Sequence, residues 1–168
     1  ALEPEILILD EATSALDVSV QKTIIELIVK LQREKNITIG FICHDISLIQ
    51  SCADQVAVMY LGNVVEVLPA KDLAKNAKHP YTKALIGSIF DISMDFSEPI
   101  ESIEGEAPSP LDVPAGCPFR GRCPKATARC GEEQPKLRTV GADHEVACHL
   151  LDEEGKNKTG ASALTCRI

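Results

Sequence analysis

Glu5-Ile6-Leu7-Ile8-Leu9-Asp10-Glu11, followed at once by Ala12-Thr13-Ser14-Ala15-Leu16-Asp17, is the stretch that decides the fold. An unbroken apolar run of this length suits a strand buried on both faces of a parallel sheet, and two carboxylates stand at its C-terminal end. Beyond it, apolar residues recur at Val20, Ile24, Leu27, Ile28 and Leu31 while Lys22, Glu26, Lys30 and Arg33 face elsewhere. That spacing predicts an amphipathic helix from Val18 to about Lys35 with one side on the sheet. A second β-branched run covers 37–43 and ends in His44-Asp45, and 46–53 reads as a short helix. Strand, helix, strand, helix implies a parallel sheet with right-handed crossovers.

Further along, 55–61 and 64–68 flank Gly62-Asn63, the chemistry of a two-residue hairpin turn. Two short helices are expected over 71–77 and 81–89, the second opened by Pro80. Near Asp91 the composition changes. Glu98-Pro99, Ala107-Pro108-Ser109-Pro110 and Val113-Pro114 make a loop-rich segment with little periodicity. The expected organisation is an α/β domain over 1–91, a cysteine-containing extension over 92–151 and a disordered tail over 152–168.

An apolar fraction of 45% in 168 residues suits a globular core. The formal net charge of −8 argues against a nucleic-acid partner, which needs clustered Lys and Arg. An anion site that works through backbone N–H groups and one or two cations is still open to it. The sequence contains neither an apolar run of roughly 18 to 20 residues nor a secretory signal, so a cytoplasmic location is expected. A start without Met that falls at once into a strand suggests that upstream sequence has been removed. Seven cysteines, an odd number without a secretion signal, point to metal or redox ligation for some of them. Cys43 and Cys52, in apolar surroundings, read as buried packing residues.

Ligands of open parallel sheets bind beyond the carboxyl ends of the strands, where this sequence puts Asp10, Glu11 and His44. Phosphoryl transfer to water needs a carboxylate to hold Mg²⁺, a group to orient the attacking water, and a donor for charge on the γ-phosphate. Asp10, Glu11 and His44 suit these roles in that order. Either feature alone is better read as a helix cap or a satisfied turn residue. Their combination with Ser14-Ala15-Leu16-Asp17 makes the site reading the stronger one.

These residues resemble the ABC ATPases. Leu7-Ile8-Leu9-Asp10-Glu11-Ala12-Thr13-Ser14-Ala15-Leu16-Asp17 is similar to their Walker B strand and D-loop, and Phe41-Ile42-Cys43-His44-Asp45 to their switch-histidine segment. VMYLGNVVEV, HPYTKAL and CPFRGRC narrow the resemblance to the ATP-binding subunits of oligopeptide and dipeptide importers. It covers about Glu3 to Leu150. The resemblance implies the C-terminal portion of a P-loop ABC nucleotide-binding domain, with a parallel sheet, flanking helices and a loop-rich cysteine extension. It also implies ATP and Mg²⁺ as cofactors. Asp10 would then act on Mg²⁺, Glu11 as general base and His44 at the γ-phosphate, while Ser14 and Asp17 would belong to a loop that meets nucleotide across a dimer. Implied partners are a second ATPase subunit, identical or different, and transmembrane permease subunits. The implied location is the cytoplasmic face of the membrane, and the implied role is energising uptake of peptides or nickel.

Ala12 stands where many relatives carry Pro. G-x-x-x-x-G-K-[ST] is missing: Gly116 to Gly121 is followed by Arg122-Cys123 and does not follow a strand. The signature Gly-Gly pair is missing too, so the chain alone is expected to be inactive. Two rivals are a soluble, non-transport ABC ATPase and a stand-alone metal or redox module. HPYTKAL and the cysteine extension speak against the first, and the apparent start inside a sheet against the second.

Cys117, Cys123, Cys130 and Cys148 are separated by 5, 6 and 17 residues. Four thiolates suit tetrahedral zinc or a four-iron cluster, and the spacing is unlike a zinc ribbon. The importer resemblance puts a [4Fe–4S] cluster ahead of zinc, with disulfides or free thiols as the remaining alternative. His144 and His149 are possible zinc ligands but are expected to lie on the surface. Arg120 and Arg122 read equally as solvated loop cations or as partners for cluster or subunit charge.

Overall fold

Ile6–Asp10 forms strand β1 and Thr38–Ile42 forms β2, joined by helix α1 over Val18–Lys35. The strands are parallel, Ile6 opposite Thr38 and Asp10 opposite Ile42. Helix α1 stops at Asn36, whose left-handed backbone (φ 51°) returns its N–H to the Gln32 carbonyl. Helix α2, Ile46–Cys52, starts at Asp45, whose carboxylate accepts from Leu48 N–H at 3.1 Å. The structure is a computed structural model describing residues 3–88, 108–109 and 113–151. The chain divides into two units between Ala53 and Asp54. The boundary expected near Asp91 and the tail over 152–168 lie outside the described residues.

Four expectations fail in the first unit. Strand β1 is not buried on both faces, since Leu7 and Leu9 are half-buried while Ile6 and Ile8 are 48% and 57% exposed. On α1 only Ile25 is buried, and Val20, Leu27 and Leu31 remain exposed. The sheet here has two strands. It is too narrow to sequester an 18-residue helix and cover its own two faces. Lys22 and Arg33 do not simply face away either, because they line a groove of about 500 Å³ with Ile25, Val29 and Leu48. Cys43 and Cys52 are half-buried rather than buried.

In the second unit, β3 (Gln55–Tyr60) and β4 (Asn63–Pro69) form the expected hairpin, with β6 (His144–Val146) beside β4 and β5 (Arg138–Gly141) outermost. The turn sits one residue earlier than expected. Tyr60 pairs with Asn63, so Leu61 and Gly62 take the corner at φ 45° and 75°. Two positive φ values match the twist of the flanking strands, and Asn63 holds the corner by donating from Nδ2 to the Leu61 carbonyl at 2.9 Å. Because β6 docks on β4, this sheet takes strands from both sides of the expected boundary. A 3₁₀ turn at Ala70–Asp72 leads into α3 (Leu73–Asn76), and α4 spans Pro80–Gly87. Helix α5 spans Ala128–Glu132. No helix among the described residues is long and apolar enough to cross a membrane.

At the centre of this unit lies a carboxylate. Glu66, 0% exposed, accepts from Lys78 N–H at 2.7 Å and His79 N–H at 3.1 Å, and its Oε1 is 2.8 Å from His144 Nε2. His144 and His149 are both buried, contrary to the surface positions expected. His149 Nε2 meets the Glu133 carbonyl at 2.9 Å. His79 is buried as well, and its Nδ1 accepts from Tyr81 N–H at 3.1 Å to cap α4.

An accepting Nδ1 means a neutral ring. Burial pushes the His79 pKa from 6.5 down to about 4, against the pull of the Glu66 charge. The unfolded imidazole takes up a proton as pH falls through 6.5 while the folded one does not until about 4, so stability is full above that window and declines within it. The expected loss is up to about 3 kcal/mol. Urea midpoints measured between pH 7 and 4.5 should fall less steeply for His79→Asn, which keeps a capping acceptor that does not titrate.

Candidate active site and four-cysteine lobe

Because Asp10 is level with Ile42, Glu11 and His44 leave the same edge of the β1–β2 pair. Asp10, Glu11 and His44 are all exposed. Glu11 N–H donates to the Ile42 carbonyl at 2.9 Å, and Glu11 takes φ 44°, a conformation uncommon outside glycine. The turn after it is pinned by its own backbone. The Glu11 carbonyl accepts from Ser14 N–H at 3.1 Å and from Ser14 Oγ at 2.9 Å. Thr13 is 2% exposed, and its carbonyl accepts from Gln21 Nε2 at 2.7 Å, an anchor that sequence reasoning missed. Asp17 begins α1 without a side-chain capping bond. Burial raises the Cys43 pKa, and the negative charges of Asp45 and Glu11 add to the rise. The Glu11 carboxylate therefore lies within electrostatic reach of the residue preceding His44. This edge holds a pair of carboxylates, an imidazole and a hydroxyl-bearing loop.

The cysteines of the second unit lie in a lobe folded tightly on itself. Gly116, at φ 77°, passes so close to Cys130 that a Cβ would clash with its carbonyl oxygen, and Cys117 N–H donates to that carbonyl at 2.8 Å. Arg120, for which both a solvated and a charge-pairing role stood open, is half-buried and donates from Nη1 to the Gly131 carbonyl at 2.9 Å. Cys117, Cys123, Cys130 and Cys148 are free thiols.

Burial pushes the Cys148 pKa up to about 11, and the charges of Cys123, Cys117 and Cys130 add to the rise. Backbone N–H groups work the other way, Phe119 toward Cys117, Lys125 toward Cys123 and Leu150 toward Cys148, while Thr127 N–H meets Cys130 Sγ at 3.5 Å. The four sulfurs thus share one neighbourhood and each faces an amide donor. Among the described residues, however, no three His, Cys, Asp or Glu side chains stand where they could hold one metal ion. The lobe supplies the donor chemistry of a thiolate site without a converged ligand shell. Alkylation of Cys148 at pH 7.5 in metal-free protein is expected to run about a hundredfold slower than for a thiol of pKa 9, as mass spectrometry of the labelled peptide would show.

A mixed α/β structure with two sheets fits the C-terminal portion of an ABC ATPase. Residues 65–130 match the family described as the oligopeptide/dipeptide transporter, C-terminal region. The chain is 45% identical over 152 residues to the di/tripeptide transport ATP-binding protein DppF of Pseudomonas aeruginosa, covering 90% of the chain and 47% of that protein. It is 45% identical over 152 residues to the dipeptide transport ATP-binding protein DppD of Caldanaerobacter subterraneus, covering 90% and 46%. For the oligopeptide transport ATP-binding protein OppF of Haemophilus influenzae the identity is 41% over 149 residues, covering 88% and 45%. The chain is related to the ATP-binding proteins of oligopeptide and dipeptide transport, and it spans about half the length of the curated relatives it matches.

Proposed function

We propose that this chain is part of an ATP-hydrolysing subunit that energises the uptake of peptides through an ABC importer. The observation that carries the reading is the level ending of two parallel strands, which brings Asp10, Glu11 and His44 to one edge. In this reading Asp10 acts on Mg²⁺, usually through water. Glu11, turned by its left-handed backbone, accepts the proton of the attacking water. His44 donates toward charge developing on the γ-phosphate. Ser14 and Asp17 belong to the loop that meets a second ATPase subunit, and Asp17 keeps its carboxylate out of helix capping. Permease subunits and a peripheral position on the cytoplasmic face of the membrane follow from the same reading, since the relatives are named as transport ATP-binding proteins.

A phosphate-cradling loop is absent from the sequence, so the 168-residue chain by itself should show no ATP turnover above background. In the complete subunit, Glu11→Gln should lower turnover by about 10²–10⁴-fold while ATP still binds. Ordinary turnover by the isolated chain, or a full-rate Glu11→Gln subunit, would overturn the assignment.

The cysteine lobe supports a finer reading, in which Cys117, Cys123, Cys130 and Cys148 hold a [4Fe–4S] cluster, with zinc as the alternative. Amides facing the sulfurs are the donor arrangement that stabilises metal-bound thiolates. Binding metal would also relieve Cys117, Cys123 and Cys148 of the protons that their raised pKa values retain. When bound, such a group would cross-link a segment with little periodic apolar sequence. Anaerobically purified protein should then carry about four iron and four sulfide per chain, lost in Cys117→Ser. Stoichiometric zinc without sulfide would favour the alternative.

A further inference from the structure

Asp17 stands at the start of α1, where an aspartate ordinarily accepts from an amide two or three residues on, yet it makes no side-chain capping bond. The tie between this helix and the loop before it comes instead from Gln21, half-buried at the end of the first turn. Its backbone N–H donates to the Asp17 carbonyl at 2.8 Å. Its side chain reaches back eight residues, where Nε2 donates to the Thr13 carbonyl at 2.7 Å. Only the NH₂ end of the amide can face a carbonyl oxygen, so this bond also fixes the orientation of the side chain.

The Thr13 carbonyl is where the loop is held. It accepts from Leu16 N–H at 3.1 Å as well, and Thr13 itself is 2% exposed. Next along, Ser14 donates to the Glu11 carbonyl from both N–H and Oγ, and Glu11 N–H is tied to Ile42 on β2. The loop is therefore closed at two ends, against the strands through Glu11 and against α1 through Gln21. Packing alone does not ask for an amide at position 21, because a methionine of the same length would fill the same space.

We infer that Gln21 is a positioning residue for the loop that carries Ser14 and Asp17. The inference rests on the hydrolysis reading proposed above, in which that loop meets a second ATPase subunit. Gln21 sets where the loop stands relative to Asp10 and Glu11, and it does so without engaging the Asp17 carboxylate, which stays open to the partner. Without the amide, the Thr13 carbonyl keeps only its bond within the loop, and Ser14 and Asp17 spread over positions that no longer match the facing subunit.

Gln21→Met and Gln21→Lys in the complete subunit, with Glu11→Gln beside them, test this. Methionine matches glutamine in length and helix propensity but has no donor, whereas lysine keeps a donor on a flexible stem. Turnover per ATP-binding site, counted by nucleotide titration so that misfolded protein does not enter, should fall about tenfold in Gln21→Met, with KM changed by no more than about twofold. Gln21→Lys should recover to within about threefold of the unsubstituted subunit. In the 168-residue chain, hydrogen exchange of the Leu16 amide should speed up at least about fivefold in Gln21→Met and not in Gln21→Lys, a readout that needs no activity. Full turnover in Gln21→Met, an equal loss in Gln21→Lys, or unchanged Leu16 exchange would rule the positioning role out. A Glu11→Gln subunit at full rate defeats the hydrolysis reading itself, while a silent Glu11→Gln beside a full-rate Gln21→Met defeats only the role of Gln21.

Discussion

One carboxylate organises the second unit. Glu66 lies fully buried in a largely apolar strand, and an isolated charge in that position would be prohibitive. It is tolerated because two backbone N–H groups and one imidazole converge on it. Those partners come from two parts of the chain outside its own strand β4: the entry to α4 and strand β6. Satisfying one charge therefore fixes the direction in which α4 leaves, the seat of β6 on β4, and the place from which the chain runs on to Cys148. Removing the carboxylate would leave several buried donors unpaired, a penalty that falls on the whole unit rather than on one contact.

The first unit depends on register instead. Once Asp10 is opposite Ile42, the exits of both strands lie at one edge, and the distance in sequence between Glu11 and His44 no longer matters. A shift of one residue would turn Asp10 to the other face. The Glu11 to Ile42 backbone bond and the double grip of Ser14 on the Glu11 carbonyl hold this arrangement without spending the side chains of Asp10, Glu11 and Asp17.

Much of this was legible in the sequence because it is local. The period of α1, the β-branched run of β2, Pro80 at the start of α4 and the carboxylates ending β1 each state their role within a few residues. What failed depends on distant partners. Burial of β1 on both faces presumes neighbours that two strands do not supply. Glu66 reads as one acidic residue in VVEV, and nothing nearby says that residues 78, 79 and 144 will meet it. His144 and His149 read as surface residues because histidine beside cysteine carries no burial signal. The turn fell at Leu61-Gly62 because the pairing of Tyr60 with Asn63, rather than the taste of Gly-Asn for turns, sets the corner. The cysteines were recognised as a group, whereas a converged ligand shell cannot be read from spacing.

The two units also balance their surfaces differently, and this bears on where chemistry can occur. The second unit closes on itself, with the Phe119, Leu68 and Leu73 side chains fully buried and the Glu66 charge met by donors. The first keeps Ile6, Ile8, Leu27 and Ile42 substantially exposed, an apolar area unusual on a free-standing surface. The residues assigned to ATP hydrolysis are carried by the unit that is less self-sufficient. Their positions rest on a pair of strands with one hydrogen-bonded neighbour each, so whatever covers those apolar faces stiffens the edge that holds Asp10, Glu11 and His44. In the function proposed above, covering those faces and fixing the edge that carries Asp10, Glu11 and His44 would be one event, without a separate switch.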